Sequence, residues 1–344
     1  MKKLLCILLF LIVFINAPSC GRSKNQSPEN KQSEDEQGAE QSEDKNQEKL
    51  DKKEGKKVLE EYMKALVLRD IDKAKGLYSE GLKQQAGSFA AIQNPHPNGY
   101  KVDNLEEKDG KLEGSAVLLS VSTGKPYFSL DENKYTIIKE KNKYVIDKIE
   151  KSKNTEVMEK NRTLFKKEGG DIKGKEIIKL DDLPAFAVPQ GATPDQKFSV
   201  GRDAFGPVAG DAEGKMLAIS TKGNHPAIIV YDGKQKKAKS IDLFFNNTID
   251  SLSWSEKGKY LSAEVTNPGG TKSVFIYDPE NEKKIDDPMK NAMKPGKYTI
   301  INSYWISDDE LVFTVQLKST LPANEQNMAG TYKFDVKNLS ITRS

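Results

Sequence analysis

The chain has 344 residues, 54 of them basic and 51 acidic, for a net charge of +3, with two cysteines and two histidines. So even a balance excludes the basic field that binding to a phosphate backbone needs, and nucleic acid is not an expected partner. The length suffices for two ordinary domains.

The N-terminus carries Lys2 and Lys3, then an unbroken apolar run over residues 4–15, then the small residues Ala17 and Ser19. This is the layout of a secretory signal over residues 1–19. The run is about a dozen residues, too short for the roughly 20 that cross a bilayer as a helix. The segment Ala17-Pro18-Ser19-Cys20 resembles the lipobox of bacterial lipoproteins, although Ala17 stands where that family usually has Leu. The resemblance implies a diacylglycerol on Cys20, which becomes the first mature residue. An ordinary cleaved signal is the alternative. Cys6 lies inside the signal, so the mature chain has no second thiol for an internal disulfide.

After Cys20, residues 21–54 are mostly Ser, Asn, Gln, Glu, Asp and Lys with no large apolar residue before Leu50, so that 20–54 form one polar segment. Such a stretch cannot bury enough surface to offset its ordering entropy and reads as a disordered tether. As a flexible chain it reaches about 30 Å.

From Lys56, Val58, Leu59, Tyr62, Met63, Leu66 and Val67 recur at helical spacing, and a second helix from Ile71 places Ala74, Leu77, Tyr78 and Leu82 together. Asp70 is placed to cap it. After a loop over residues 87–99, strands are expected over 100–105, 111–121, 127–130, 134–139 and 143–150, with turns at Asp109-Gly110, Gly124-Lys125-Pro126 and Asp131-Glu132-Asn133. Helices followed by an antiparallel meander make an α+β unit. The helix over residues 58–66, the Ala74–Tyr78 segment and the closing strand over 143–149 resemble the NTF2-like, cystatin-related superfamily, across residues 55–152. That resemblance implies a curved antiparallel sheet enclosing a pocket, a ligand site or simply a core. Tyr62, Tyr78, Tyr100, Phe128 and Tyr135 are the aromatic residues available to line such a pocket. Aromatic residues at this spacing also fill interiors, and both alternatives stay open.

Residues 153–204 read as a linker or transition segment: a charged helix over 151–167, a stop at Gly169-Gly170, and an extended proline-containing run over 183–191. From residue 205 short β-runs recur. Residues 214–220, 258–265 and 309–315 are each a turn followed by an apolar strand, and Tyr231-Asp232, Tyr277-Asp278 and Phe334-Asp335 each close a second strand. Trp254-Ser255 and Trp305-Ile306-Ser307 precede the turns of the second and third units, and Gly206 to Gly210 stands weakly in the first. These three repeats over 205–344 resemble blades of WD40-like and TolB-type β-propellers. Three units fall short of a closed propeller, so a truncated or irregular one is expected, with Ile177-Ile178-Lys179-Leu180-Asp181 offering a remnant strand of a further unit, and a twisted β-sandwich is the alternative.

No catalytic constellation emerges. His96 and His225 both sit beside prolines, no Ser-His-Asp arrangement has support, no zinc ligand set is present, and neither Gly124-Lys125 nor Gly174-Lys175 completes a phosphate loop. Asp286-Asp287 and Asp308-Asp309-Glu310 read as solvated turns rather than calcium sites. No cofactor and no metal is expected. The expected protein is a membrane-anchored lipoprotein facing the extracytoplasmic side, a non-enzymatic module binding an envelope protein, polymer or small ligand. An enzyme with ketosteroid-isomerase-type acid–base chemistry in the NTF2-like cone and a structural spacer are the alternatives. Residues 318–330 form a longer loop than a hairpin needs, where function often resides.

Overall fold

The computed structural model describes residues 49–85, 94–285, 298–317 and 328–343. The signal, Cys20, nearly all of the tether, Asp286-Asp287 and residues 318–327 of the long loop lie outside them. Among the described residues no helix is long and apolar enough to cross a membrane.

Three helices open the described chain: α1 (Lys52–Val67), α2 (Ile71–Gly76) and α3 (Glu80–Gln85). Asp51 caps α1 by accepting from the Lys53 and Glu54 amides, and Asp70 caps α2 by accepting from the Lys73 amide at 3.0 Å. α1 buries Leu59, Tyr62, Met63, Ala65 and Val67. They face a large antiparallel sheet of β1 (His96–Val102), β2 (Glu106–Lys108), β3 (Lys111–Val121), β4 (Tyr127–Glu140), β5 (Lys143–Lys160), β6 (Thr163–Glu168) and β7 (Lys175–Lys179). Its order is β1-β3-β4-β5-β6-β7, with β2 added on β3.

This sheet is longer than the sequence reading expects, and three expectations change. Asp131-Glu132-Asn133 is not a turn; β4 runs through it with a register irregularity at Glu132/Asn133. The polar run stays in the strand because Asp131 accepts hydrogen bonds from Asn154 Nδ2 at 2.7 Å and Ser129 Oγ at 3.2 Å. Residues 151–167 are not a charged helix. They complete β5 and enter β6 through a tight turn with Asn161 and Arg162 at φ +51° and +60°, because Thr155, Val157 and Leu164 bury one face. Ile177 and Ile178 lie in β7, hydrogen-bonded to β6, and are not a remnant blade. The boundary at 152 therefore falls inside β5, and a linker does not begin there. Beyond β7, residues 180–203 carry a single 3-10 turn over Leu180–Asp182 and the small pair β8 (Phe186–Ala187) and β9 (Phe198–Ser199).

Three four-stranded sheets follow, each with its strands side by side in chain order. The first is β10 (Ala204–Gly210), β11 (Met216–Lys222), β12 (Ala227–Asp232) and β13 (Lys237–Leu243). The second is β14 (Thr248–Trp254), β15 (Leu261–Thr266), β16 (Lys272–Asp278) and β17 (Lys283–Lys284). The third is β18 (Tyr298–Trp305), β19 (Glu310–Leu317), β20 (Gly330–Asp335) and β21 (Ser340–Arg343). These are propeller-like blades, and their repeated residues have structural work. Trp254 Nε1 donates to Ala209 O of the preceding blade at 2.9 Å, and Trp305 Nε1 donates to Ser253 O of the preceding blade at 3.1 Å. Gly210 occupies the equivalent place in the first blade, pairing with Leu217 as Trp254 pairs with Leu261 and Trp305 with Leu311. A Cβ there would lie 2.6 Å from the ring of Phe128 on β4. The large sheet thus puts Phe128 against the spot where the later blades carry tryptophan.

Strand alternation lets the large sheet serve two cores. Leu112 and Ala116 of β3 face the helices with Tyr135, Ile137 and Ile146. Val117, Leu119 and Val121 point the other way, into the core of the first blade. At the β1 edge, Asn98 Nδ2 donates to Leu252 O at 3.0 Å and Ser253 Oγ donates to Asn98 O at 3.3 Å, which binds the second blade. Tyr304 and Val312 of the third blade pack with Val67, Tyr100 and Leu118. The three blades wrap around the β1–β3 edge.

Gly210→Ala alone should destabilise by about 1–3 kcal/mol through overpacking, and Phe128→Ala alone by about 3–5 kcal/mol. In the double variant the new methyl enters vacated space, so the two costs should add to less than their sum, read as urea midpoints in a double-mutant cycle.

Candidate functional site

The five aromatic candidates do not line one pocket. Tyr62, Tyr78 and Tyr135 meet in the helix-covered core, with the Tyr62 and Tyr78 hydroxyls 2.9 Å apart and ring centroids 5.6 and 5.9 Å from Tyr62. Each is at most 4% exposed. Burial raises the pKa of all three phenols, so each stays protonated at neutral pH. The segment between α2 and α3 is tied to β5 beside them: the Ile146 amide donates to Leu77 O and the Ser79 amide donates to Ile146 O, both at 2.8 Å. Tyr100, pushed up to about 12 by burial and then by the carboxylates of Glu60 and Glu256, belongs to the edge beside Tyr304. Phe128 lies on the opposite face of the sheet.

Phe128 instead floors a cleft of about 520 Å³ between the large sheet and the first blade. The floor is apolar: Val117, Phe128, Leu130 and Val157 from the sheet, Met216 and Leu217 from β11. The rim is cationic, with Lys153, Lys166 and Lys175 on the sheet side and Lys215, Lys234 and Lys236 on the blade side, against Glu132, Glu176 and Glu213. Two of these lysines are engaged, Lys166 with Glu168 at 2.7 Å and Lys215 with Glu213. Lys215 holds the Glu213 carboxyl below its ordinary range. Lys153, Lys175, Lys234 and Lys236 are solvent-exposed and form no ion pair among the described residues. The blade-side lysines are placed by turns. Asp211 accepts from the Lys215 and Met216 amides at 2.7 and 3.0 Å, and Asp232 accepts from the Lys234 and Gln235 amides at 2.8 and 2.9 Å. A volume of this size, apolar below and cationic around its mouth, fits an anionic ligand with an apolar body.

The remaining acidic motifs are turn chemistry. Asp278 and Asp335 repeat the role of Asp232, accepting from the amides of Asn281 and Asn338 at 3.1 and 2.9 Å. Each is followed four residues on by a left-handed residue, Lys236, Glu282 or Leu339. Ser255 and Ser307 match Asp211 as turn acceptors. Asp308 ties the third blade to the second, accepting from Ser255 Oγ at 3.0 Å and the Lys257 amide at 2.6 Å. No cluster among the described residues could hold a metal ion.

No protein-family model matches the chain, and no curated protein matches it. Among solved structures, a putative TolB from Agrobacterium tumefaciens is similar at 8% identity and TM-score 0.35, over 64% of this chain and 78% of that one. TolB from Acinetobacter baumannii is similar at 12% identity and TM-score 0.31, over 65% and 56%. The Cps50 (Swd1) β-propeller domain of Myceliophteria thermophila is similar at 11% identity and TM-score 0.30, over 71% and 88%. At these scores the likenesses carry no statement of family or activity, and the blade architecture stands on the sheet order and the repeated tryptophans.

With the tyrosine hydroxyls bonded to each other in a packed core, Tyr62→Phe should cost about 1 kcal/mol. The denaturant midpoint should fall with the m-value unchanged.

Proposed function

We propose that the chain is a membrane-anchored extracytoplasmic lipoprotein, held through Cys20, whose folded part is a non-enzymatic binding module for an acidic ligand with an apolar portion. The observation that carries the binding reading is the cleft between the large sheet and the first blade, apolar at its floor and ringed by six lysines against three glutamates. The anchor rests on the signal and on Ala17-Pro18-Ser19-Cys20, with residues 20–54 as spacer. The helices lying over β1, β3 and β5 support an NTF2-like reading of the first unit. Acid–base chemistry in that unit is disfavoured because Tyr62 and Tyr78 hydrogen-bond to each other rather than face open space.

The anchor is tested by metabolic palmitate labelling: the wild type should take up label and sediment with membranes, and Cys20→Ser should do neither. Unlabelled wild type released to the medium would overturn it. The cleft is tested by titrating the protein with dodecyl phosphate. Lys153→Glu with Lys175→Glu, both on exposed strand positions, should weaken binding about tenfold or more, and added salt should weaken the wild type by screening the same charges. Binding unaffected by either change would remove the cleft from the function.

A further inference from the structure

A second cavity, of about 190 Å³, lies between the end of α1, the start of β1 and the inner strands of the second and third blades. Water occupies about 30 Å³ per molecule in the liquid, so this space suits a small polar group rather than an acyl chain. Its charged lining is Arg69, Lys272 and Glu264, with His96, Asn98 and Ser303 among its polar residues. Most of that polar set is already paired. Lys272 Nζ lies 3.1 Å from Glu264 Oε2 and 3.4 Å from Asp250 Oδ2. Ser303 Oγ donates to Glu264 at 2.9 Å, and Thr266 Oγ1 donates to Asp250. Asn98 is engaged with the second blade on both its side chain and its carbonyl.

Two groups are left over. His96 Nδ1 is buried and has no hydrogen-bond partner among the described residues, a state that folded proteins rarely leave unexplained. Arg69, exposed at the end of α1, makes no side-chain hydrogen bond or ion pair among the described residues, so its guanidinium is open to a ligand, and its backbone sits at φ +59°. That angle belongs to the residue that ends α1: the Arg69 amide donates to Leu66 O at 3.0 Å and the Asp70 amide donates to Ala65 O at 2.9 Å. Glycine commonly holds such a place because it lacks the Cβ penalty. An arginine that accepts backbone strain, beside a histidine nitrogen that lacks a partner, is the kind of local cost that collects at binding sites.

We propose that this cavity is a second ligand site, for a small oxyanion such as the carboxylate or phosphate end of a ligand. The Arg69 guanidinium and His96 Nδ1 hold it, and Lys272 adds positive charge. A planar guanidinium offers two parallel donors to such a group, and the histidine supplies a third direction. The electrostatics agree with the geometry. Burial first, then the charges of Arg69 and Lys272, push the His96 pKa down to about 4. Burial opposes the charge on Lys272, yet Glu264 and Asp250 outweigh it and hold its ammonium above the ordinary range. The charges acting on His96 are those of Arg69 from the α1 end and Lys272 from the second blade; Glu264 and Tyr304 also line the cavity, and Asp250 reaches it through Lys272.

A bound oxyanion offsets the charges of Arg69 and Lys272 at the ring, so it must raise the His96 pKa, and affinity must rise as the pH falls from about 6 to about 4. Without anion the linkage has the opposite consequence. The unfolded chain takes up a proton below about 6.5 that folded His96 refuses until about 4, so stability should fall across that window.

The test follows the ring resonances of His96 and His225, the chain's two histidines, in pH titrations of the full chain with and without inorganic sulfate, inorganic phosphate or acetate. Sulfate keeps its charge across the range, while phosphate and acetate separate phosphoryl from carboxylate preference. At saturation an anion should raise the His96 pKa by about one unit, which corresponds to tenfold tighter binding to the protonated form, and leave His225 unmoved. Arg69→Gly removes the guanidinium and relieves the left-handed backbone. It should keep or raise the urea midpoint while weakening anion binding about tenfold. No shift with any of the three anions, a shift undiminished in Arg69→Gly, or equal shifts at both histidines would each overturn the site.

Discussion

The contact between Phe128 and Gly210 fixes how the large sheet meets the blades. In the second and third blades a tryptophan at the end of the first strand donates its indole N–H to a backbone carbonyl of the blade before it. The first blade has no preceding blade. Its equivalent position is Gly210, and the ring of Phe128 from β4 comes so close that a side chain on residue 210 would collide with it. The large sheet therefore acts as the neighbour that an isolated first blade lacks. Three blades cannot close a ring on themselves, and here their inner strands need not, because the β1–β3 edge enters between them and is hydrogen-bonded to β14 through Asn98.

The same arrangement explains why β3, β4 and β5 are long. At 11, 14 and 18 residues they exceed the usual 5 or 6, since one end must carry Leu112, Tyr135 and Ile146 under the helices and the other must carry Val121, Phe128 and Val157 over the first blade. Strand alternation assigns the two ends to opposite faces, so a one-residue slip in β3 would turn both cores toward the wrong side. Register in these strands is specified twice over. The two halves thus share packed cores rather than forming domains on a string, and residues 47–344 group as one compact unit.

What could be read in the sequence divides along the same line. The blades were legible because their signals are local: an acceptor such as Asp211 or Ser255 before Gly-Lys, and an Asp at the end of the third strand, close turns within a few residues of themselves. The first helix, the Asp70 cap and β3 were legible by the same kind of short-range chemistry; the expected second helix is instead broken into α2 and α3, because Leu77 and Ser79 hydrogen-bond to Ile146 of β5 and Tyr78 bridges to it. The second half of β5 was not. Its lysines and glutamates imitate a solvated helix, and its pairing with β4 and β6, with Val157 in the first blade's core, makes it a strand. Asp131-Glu132-Asn133 misled for a similar reason, since the partner that keeps it extended, Asn154, comes from the neighbouring strand. The binding surfaces were the least legible part. Aromatic residues drew attention to the helix-covered core, whereas the cleft is assembled from lysines of β5–β7 and of two blade turns, each unremarkable beside its own neighbours.

Both cavities lie along the large sheet, at its two boundaries with the blades. One lies where Val117 and Phe128 face the first blade, the other where β1 begins beside the second and third. Between them run β1 and β3, paired in continuous hydrogen bonding except for the irregularity at Pro97/Gly99. That irregularity sits next to His96 and includes Asn98, the residue that holds β14. A shift of the second blade relative to the sheet must therefore pass through the wall of the smaller cavity, and a shift of the first blade must pass through Phe128 and the floor of the larger one. Packed interfaces of this kind change between discrete arrangements rather than deforming smoothly. Because the repeats stop short of a closed ring, the positions of the outer blades are set by their contacts with the sheet and with each other, and the cavities lie at those contacts rather than inside any one element.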